Sequence, residues 1–409
     1  MKFNTKKIKL ILAVLGAFFV LNTGISVKAA IFTPNVQSKA AILVNKNTGQ
    51  VIASKNDQKR YPIASISKLL VIYMVEQQIH QGKLKRTDVV KIPDNILKFS
   101  QDSGVANVAM NKQNKYTVDD LEKAALLPSS NSAAMALAEK VSGSQANYYK
   151  DAEKLLNSWG IKNVKIYSAS GLCNGDMGQL KDKSVSKSAE NKLSAREVAI
   201  VASKLLAKYP NVLNTTQLTQ TSFPSINGGK QQINTTIGLF GHSNYGFKGL
   251  KTGTYLKGYN FVGFATLKNQ PVITVIFNSR HASPFLSTES MMNQANASTE
   301  TINNSIKKTK IDNADTKSGE IAIKQKITTL IFAPNNFKQK DLRINFKQTD
   351  DLSAPLKKND LVGTQTFKFK EKTYNDFIGK QSNIKYVSKN NVDKTWMIVS
   401  WYRKLVNLF

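Results

Sequence analysis

The sequence predicts an α+β chain in two parts: one antiparallel sheet assembled from distant stretches with helices between them, then a small all-β region. Three observations carry this. Two β-rich runs surround a Gly-containing turn near the start, and a second such pair stands near residue 270. The stretch between the pairs carries helix start signals. Beyond residue 320, short alternating runs bounded by Pro, Asn and Lys replace them. With 409 residues, 41% hydrophobic and 21% charged, the chain can bury a real core, which excludes disorder as a description of the whole. A single cysteine, Cys173, excludes a disulfide scaffold.

Taken in order, residues 1–29 read as a secretory signal: a basic start through Lys9, an apolar run from Leu10 to Leu21, and Val27-Lys28-Ala29 as the cleavage site. Ala40 to Ser54 reads as a hairpin, and Ser65 to Gln77 as a buried helix, being apolar and too long for a strand. Thr117-x-x-Asp120 and Ser194-x-x-Glu197 are capping boxes before helices at Leu121–Leu127 and Val198–Leu206. Phe261–Lys268 and Pro271–Asn278 pair across Asn269-Gln270. Thr309 to Glu320 turns polar and reads as a linker. The resulting division is 30–308 for the main domain, 315–385 for the β domain and 393–409 for a terminal amphipathic helix.

On a helical wheel that last segment gathers Ser400, Arg403, Lys404 and Asn407 in one arc and Ile398, Trp401, Tyr402, Leu405, Val406, Leu408 and Phe409 opposite. Fourteen residues at ~1.5 Å each span about 21 Å, short of ~30 Å of hydrocarbon, so the helix is expected to lie in a membrane interface.

Lys and Arg exceed Asp and Glu by 31. Residues 1–29 hold five lysines and no acids, so an export-processed chain keeps +26. Outside the cell, intracellular nucleic acid is no partner, and the charge reads as adaptation to an anionic envelope, lipid and wall polymer alike.

For chemistry, three scattered histidines without a His-x-x-x-His spacing make no zinc site, and no Gly-x-Ser-x-Gly surrounds a serine. Pro62-Ile-Ala-Ser65-Ile-Ser-Lys68 stands out instead. Residues three apart share a helix face, and a desolvated lysine loses its proton readily enough to take one from serine. Two further motifs follow in order: Ser129-Ser-Asn131 on a turn between helices, and Lys251-Thr252-Gly253-Thr254 at a strand.

Together these match the Ser-x-x-Lys, Ser-x-Asn, Lys-Thr-Gly set of penicillin-binding proteins and serine β-lactamases. More closely, the chain resembles the D-alanyl-D-alanine carboxypeptidase family of low-molecular-mass penicillin-binding proteins. The likeness runs from the opening hairpin through Ser170-Gly-Leu172 and the Ser194 helix to Ala354–Gly363 and the terminal helix. It implies a transpeptidase-like catalytic domain, no metal and no organic cofactor. It also implies a peptidoglycan stem peptide ending in D-Ala-D-Ala as substrate and β-lactams as acylating inhibitors, with work done at the outer face of the cytoplasmic membrane.

By the same resemblance Ser65 is the nucleophile, Lys68 the base, and Ser129 the relay to the leaving amine, its hydroxyl held by Lys251. Asn131 orients the substrate amide or Lys68, Lys251 and Thr252 bind the terminal carboxylate, and the backbone N–H groups of Ser65 and Thr254 form the oxyanion hole. Departures from the family pattern are Ser130 and Ser132 around Asn131, Tyr255 and Lys257. The alternatives are a DD-transpeptidase or weak β-lactamase of the same chemistry, and a non-catalytic wall-binding scaffold.

Overall fold

A computed structural model describes residues 30–255, 258–279, 284–316, 318–396 and 398–399. The signal read at 1–29 and most of the terminal helix read at 393–409 lie outside the described residues; the start of that helix is instead extended, because Lys394 bridges Ala314 and the Thr395 N–H donates to Asn313 O at 2.8 Å.

The opening hairpin joins β1 (Ser38–Asn45) to β2 (Val51–Lys55), with a bulge between Leu43 and Val44. Its turn ends on Gly49 at φ +77°, a conformation that costs glycine nothing. The next strand, β3 (Arg60–Pro62), pairs with β4 (Lys192–Ser194), so the 129 residues between them are looped out between two partners. That lobe opens with a 3₁₀ turn at Ala64–Ser67, which runs straight into α1 (Lys68–His80). There follow α2 (Asp94–Phe99), α3 (Val118–Leu126), α4 (Asn131–Ser142), α5 (Gln145–Ser158), α6 (Ala195–Lys208) and α7 (Val212–Thr216).

Both capping boxes form. The Thr117 hydroxyl accepts from Asp120 N–H at 3.1 Å while the Asp120 carboxylate takes the Thr117 N–H at 2.9 Å, and Ser194 and Glu197 repeat the exchange at 3.1 and 2.8 Å. Helix α1 is apolar almost all round because it is the centre of the lobe, with Leu69, Leu70, Val71, Ile72 and Val75 all essentially unexposed. Each such side chain contributes roughly 1.5–3 kcal/mol by leaving water.

After the hairpin β5 (Gln220–Pro224) and β6 (Lys230–Asn234) come the three strands that complete the main sheet: β7 (Leu250–Tyr255), β8 (Gly258–Leu267) and β9 (Gln270–Ser279). The order is β2-β1-β9-β8-β7, antiparallel throughout, and Ile42 opposite Val275 shows how the two ends of the domain meet. The β8–β9 turn falls at Lys268-Asn269 rather than Asn269-Gln270. Both residues have positive φ, +47° and +60°, and Gln270 is already in the ladder opposite Leu267.

Side chains alternate faces along each strand. Ile42, Val44, Ile273 and Phe277 meet the helical lobe, whereas Ala41, Leu43, Phe261 and Ile276 meet Met291, Met292 and Ala295 of α8 (Pro284–Ser298) on the other side.

The remaining chain forms β10 (Thr299–Ile302), β11 (Lys308–Lys310), β12 (Glu320–Gln325), β13 (Ile331–Pro334), β14 (Leu342–Gln348), β15 (Leu361–Phe369) and β16 (Ile384–Ser388). Five of them make a second sheet, β11-β12-β16-β15-β14, around its own core of Ile321, Ile323, Phe367, Phe369 and Tyr386. The segment read as a linker, Thr309 to Glu320, leaves edge strand β11 at Lys310 and enters β12 at Glu320, with Ile311 buried and Asp312 bridged to Ser353 on the way. Thr309 pairs with Ile321 and Lys310 with Glu320, and polar residues suit an edge strand whose outer side meets water.

Candidate active site

Two strands and a turn place the nucleophile. Ladder β3–β4 fixes the chain just before it, and Ala64 takes φ +48°, a strained value for a residue with a Cβ. Ser65 therefore sits on a 3₁₀ turn rather than within the α-helix expected from the pattern. The difference matters, because at three residues per turn positions i and i+3 eclipse, and Lys68 stands directly over Ser65. Its Nζ lies 2.8 Å from Ser65 Oγ.

The lysine is wholly buried. Besides Ser65 it reaches Asn131 Oδ1 at 2.7 Å, the Ser170 carbonyl at 3.0 Å and Ser129 Oγ at 3.4 Å. Ser129 has φ +68° on the turn between α3 and α4, and Asn131 opens α4. None of these contacts is a carboxylate. Desolvation, then the positive charge of Lys251, hold the Lys68 pKa well below the ordinary lysine range.

Lys251 and Thr252 come from β7, the edge strand beside the 3₁₀ turn. Lys251 is fully buried too, and desolvation brings its pKa down to about 7. Among the described residues its ammonium donates to the Thr252 carbonyl at 3.1 Å, so the expected grip on the Ser129 hydroxyl is not a direct hydrogen bond. Thr252 Oγ1 shares a 2.6 Å hydrogen bond with Thr236 Oγ1. Gly253 is where β7 crosses the nucleophile turn: a Cβ there would stand 2.7 Å from the Ile63 carbonyl. The Phe264 N–H donates to Gly249 O at 3.1 Å, and antiparallel alternation from that bond turns the backbone of Lys251 and Gly253 toward β8. The backbone groups of Thr252 and Thr254 then face outward, toward the cleft.

The sequence reading did not single out Asn191. It is fully buried, takes the N–H of Tyr167 at 2.7 Å, and donates to Ser168 O at 2.7 Å and to Ser67 Oγ at 2.9 Å. Its carbonyl accepts from Ile63 N–H at 3.0 Å. It thereby stitches the nucleophile turn to the segment whose Ser170 carbonyl meets Lys68. Gly171 completes the cradle at φ +84°, where a Cβ would lie 1.8 Å from the Ala64 carbonyl. No local pattern announces Asn191, whereas Ser170-Gly171-Leu172 does carry part of the family resemblance.

The departures acquire contacts. Ser130 and Ser132 are buried with their hydroxyls 3.1 Å apart. Ser130 Oγ also accepts from Val108 N–H at 3.2 Å and caps α4 through Ala133 N–H at 3.4 Å. Tyr255 hydroxyl accepts from Asn278 Nδ2 at 2.5 Å, while Lys257 lies outside the described residues. The Cys173 thiol donates to the Lys187 carbonyl at 2.8 Å. Among the described residues no three His, Cys, Asp or Glu side chains gather as metal ligands would.

A partly exposed serine over a buried lysine at the foot of a helix, a Ser-x-Asn turn facing them and an edge strand bearing Lys-Thr-Gly define a serine acyl-transfer enzyme of the penicillin-binding class. Residues 27–281 match the model of the D-alanyl-D-alanine carboxypeptidase family, and the chain belongs to that family, a family of hydrolases acting as carboxypeptidases.

Relatives include the D-alanyl-D-alanine carboxypeptidase DacA of Haemophilus influenzae, 29% identical over 58% of this chain and 55% of that one. They also include DacF of Bacillus subtilis, 25% identical over 81% of this chain and 82% of that one. A peptidoglycan synthesis regulatory factor (PBP3) from Streptococcus pneumoniae superposes with a TM-score of 0.76 at 28% identity, covering 87% of this chain and 99% of the other.

Proposed function

We propose that this chain removes the terminal D-alanine from peptidoglycan stem peptides ending in D-Ala-D-Ala, through an acyl-enzyme on Ser65. The observation that carries the reading is the set of four oxygens around Lys68 Nζ. Asn131 Oδ1 and Ser170 O can only accept, so they take the two N–H groups of a neutral amine. The lone pair is then left for the Ser65 hydroxyl, whose proton it receives. Desolvation favours that neutral form, and no carboxylate opposes it.

Ser65 Oγ attacks the carbonyl between the two D-alanines, and the oxyanion is met by the N–H groups of Ser65 and Thr254. The first comes from the 3₁₀ turn and the second from the outward-facing side of edge strand β7. Ser129, with Oγ 3.4 Å from Lys68 Nζ, passes a proton to the departing amine. The C–N bond breaks, D-alanine leaves, and water then cleaves the ester by the reverse sequence. Lys251 and Thr252 hold the terminal carboxylate, and an ammonium titrating near neutrality is charged enough to do so. β-Lactams enter by the same attack and stay as a slow-hydrolysing ester. The catalytic domain extends to about residue 308 and the β domain covers 315–385. The amphipathic segment beyond Trp396, itself 81% exposed, is read as a helix that lies on the membrane surface and holds the enzyme at the outer face of the cytoplasmic membrane. Anionic wall polymers match the chain's excess of cations.

The test is release of free D-alanine from a diacyl-Lys-D-Ala-D-Ala peptide. Wild type is expected to release it and Ser65→Ala to release none. Labelling by penicillin without release would overturn hydrolysis as the function.

A further inference from the structure

The outer face of the C-terminal sheet carries a cavity of about 560 Å³ that the carboxypeptidase chemistry leaves unused. On its floor Arg343 of β14 stands directly opposite Lys368 of β15, both exposed. Like charges placed directly across an antiparallel pair repel. Among the described residues neither has a carboxylate in ion-pair range, whereas Lys347, two rungs along the same face, is matched by Asp350 at 3.4 Å. The intervening rung, Asn345 opposite Thr366, adds an amide and a hydroxyl on the same face. Since β14 is the sheet edge, the cavity is open along one side.

We propose that this cavity binds a phosphate-bearing stretch of an anionic wall polymer, with the Arg343 fork and the Lys368 ammonium on its phosphate oxygens. The inference rests on the reading that the enzyme works at an anionic envelope. A polymer fits better than lipid headgroups because of where the chain leaves the sheet. The chain leaves β16 beside Leu361 opposite Val387, seven residues along β15 from Lys368, or about 23 Å, and runs on toward Trp396 against Leu356, Asn313 and Ala314, none of which lines the cavity. The cavity is walled instead by Asn375 and Phe377, which flank Asp376 at the junction with the catalytic domain.

The experiment uses the full chain and a soluble polyphosphate, read by fluorescence anisotropy. The pair Arg343→Glu and Lys368→Glu is expected to weaken binding roughly tenfold or more and to flatten its salt dependence. The same charge change at two distant exposed lysines, Lys83→Glu and Lys389→Glu, is expected to change it by less than threefold. An equal loss in both would mean bulk charge and overturn the site. Anionic phospholipid vesicles are the second arm: if the cavity variant loses vesicle binding but keeps polyphosphate, the site is a lipid site and the proposal fails. Release of D-alanine from the soluble peptide is expected to be unchanged in the cavity variant, which also shows that it folds. If wild type itself releases none, the enzymatic reading fails while the binding comparison still stands or falls by itself.

Discussion

Lys68 and Lys251 are both buried and both desolvated, and their titrations bear differently on rate and stability. Lys68→Arg keeps a cation that cannot deprotonate at working pH, so the rate of acylation by penicillin should fall by about 10²–10⁴-fold, the usual worth of a general base. A variant still within tenfold of wild type would remove Lys68 as the base. For Lys251 the folded pKa of about 7 lies below the unfolded value of 10.5. The unfolded chain therefore binds more protons between those values, and burial of this lysine costs most below about pH 7 and progressively less as pH rises toward 10.5. Lys251→Met should accordingly raise the melting temperature at pH 6, with a gain that shrinks by pH 9. The same variant should bind a D-Ala-D-Ala peptide more weakly. A gain independent of pH would mean that packing, rather than charge, decides its effect.

At the scale of elements, the decisive contact is that of the Ser168–Gly171 segment and strand β7 with the 3₁₀ turn. Two glycines with nearly equal φ separate backbone strain from crowding. Gly143, at φ +81° with open space around it, ends α4, and Gly171, at φ +84°, abuts the Ala64 carbonyl. Gly143→Ala should cost about 1 kcal/mol and leave acylation alone. Gly171→Ala adds overpacking of 1–3 kcal/mol to that strain and should slow acylation as well, because the carbonyl it pushes belongs to the residue before Ser65. Equal melting temperatures for the two variants would contradict this. Most of these elements were legible in the sequence: the two capping boxes stand where polar start signals meet apolar periodicity, and the motif residues of 65–68 and 129–131 surround one lysine. The 3₁₀ start of α1 was not legible, since it arises from the packing of Gly171 and Gly253 against the turn. Nor was the role of Asn191, whose four partners lie 23 or more positions away in sequence.

Across the whole molecule, the two sheets are joined through an ion cluster. Arg196, at the start of α6, pairs with Asp57 at 2.6 Å and with the fully buried Asp376 of the C-terminal part at 2.6 Å. Around it, Val51 N–H donates to Asp376 O and Ile378 N–H to Gly49 O, both at 2.9 Å, so the C-terminal sheet is docked on the opening hairpin by backbone as well as charge. Arg196→Met strands Asp376 as a buried unpaired charge and should cost about 3–5 kcal/mol. Adding Asp376→Asn should recover part of that loss. Thermal scans of the three proteins check it, and additive losses would show that the pair is not coupled.

The sequence alone determined the chemistry and the order of parts. Which residue types can exchange a proton with serine, which spacing puts them on one turn, and which termini cap a helix are local matters; Ser65 and Lys68 stand out by them, while Ser129, Asn131 and Lys251 are named through the family resemblance. Only the tertiary structure decided that the segment read as a linker begins on a sheet edge and connects two paired strands, that Lys251 donates to Thr252 rather than Ser129, and that Arg343 faces Lys368. The physical reason is the same in each case. Strand pairing and desolvation depend on which distant residues are brought alongside, and a strand's own residues do not name its partner.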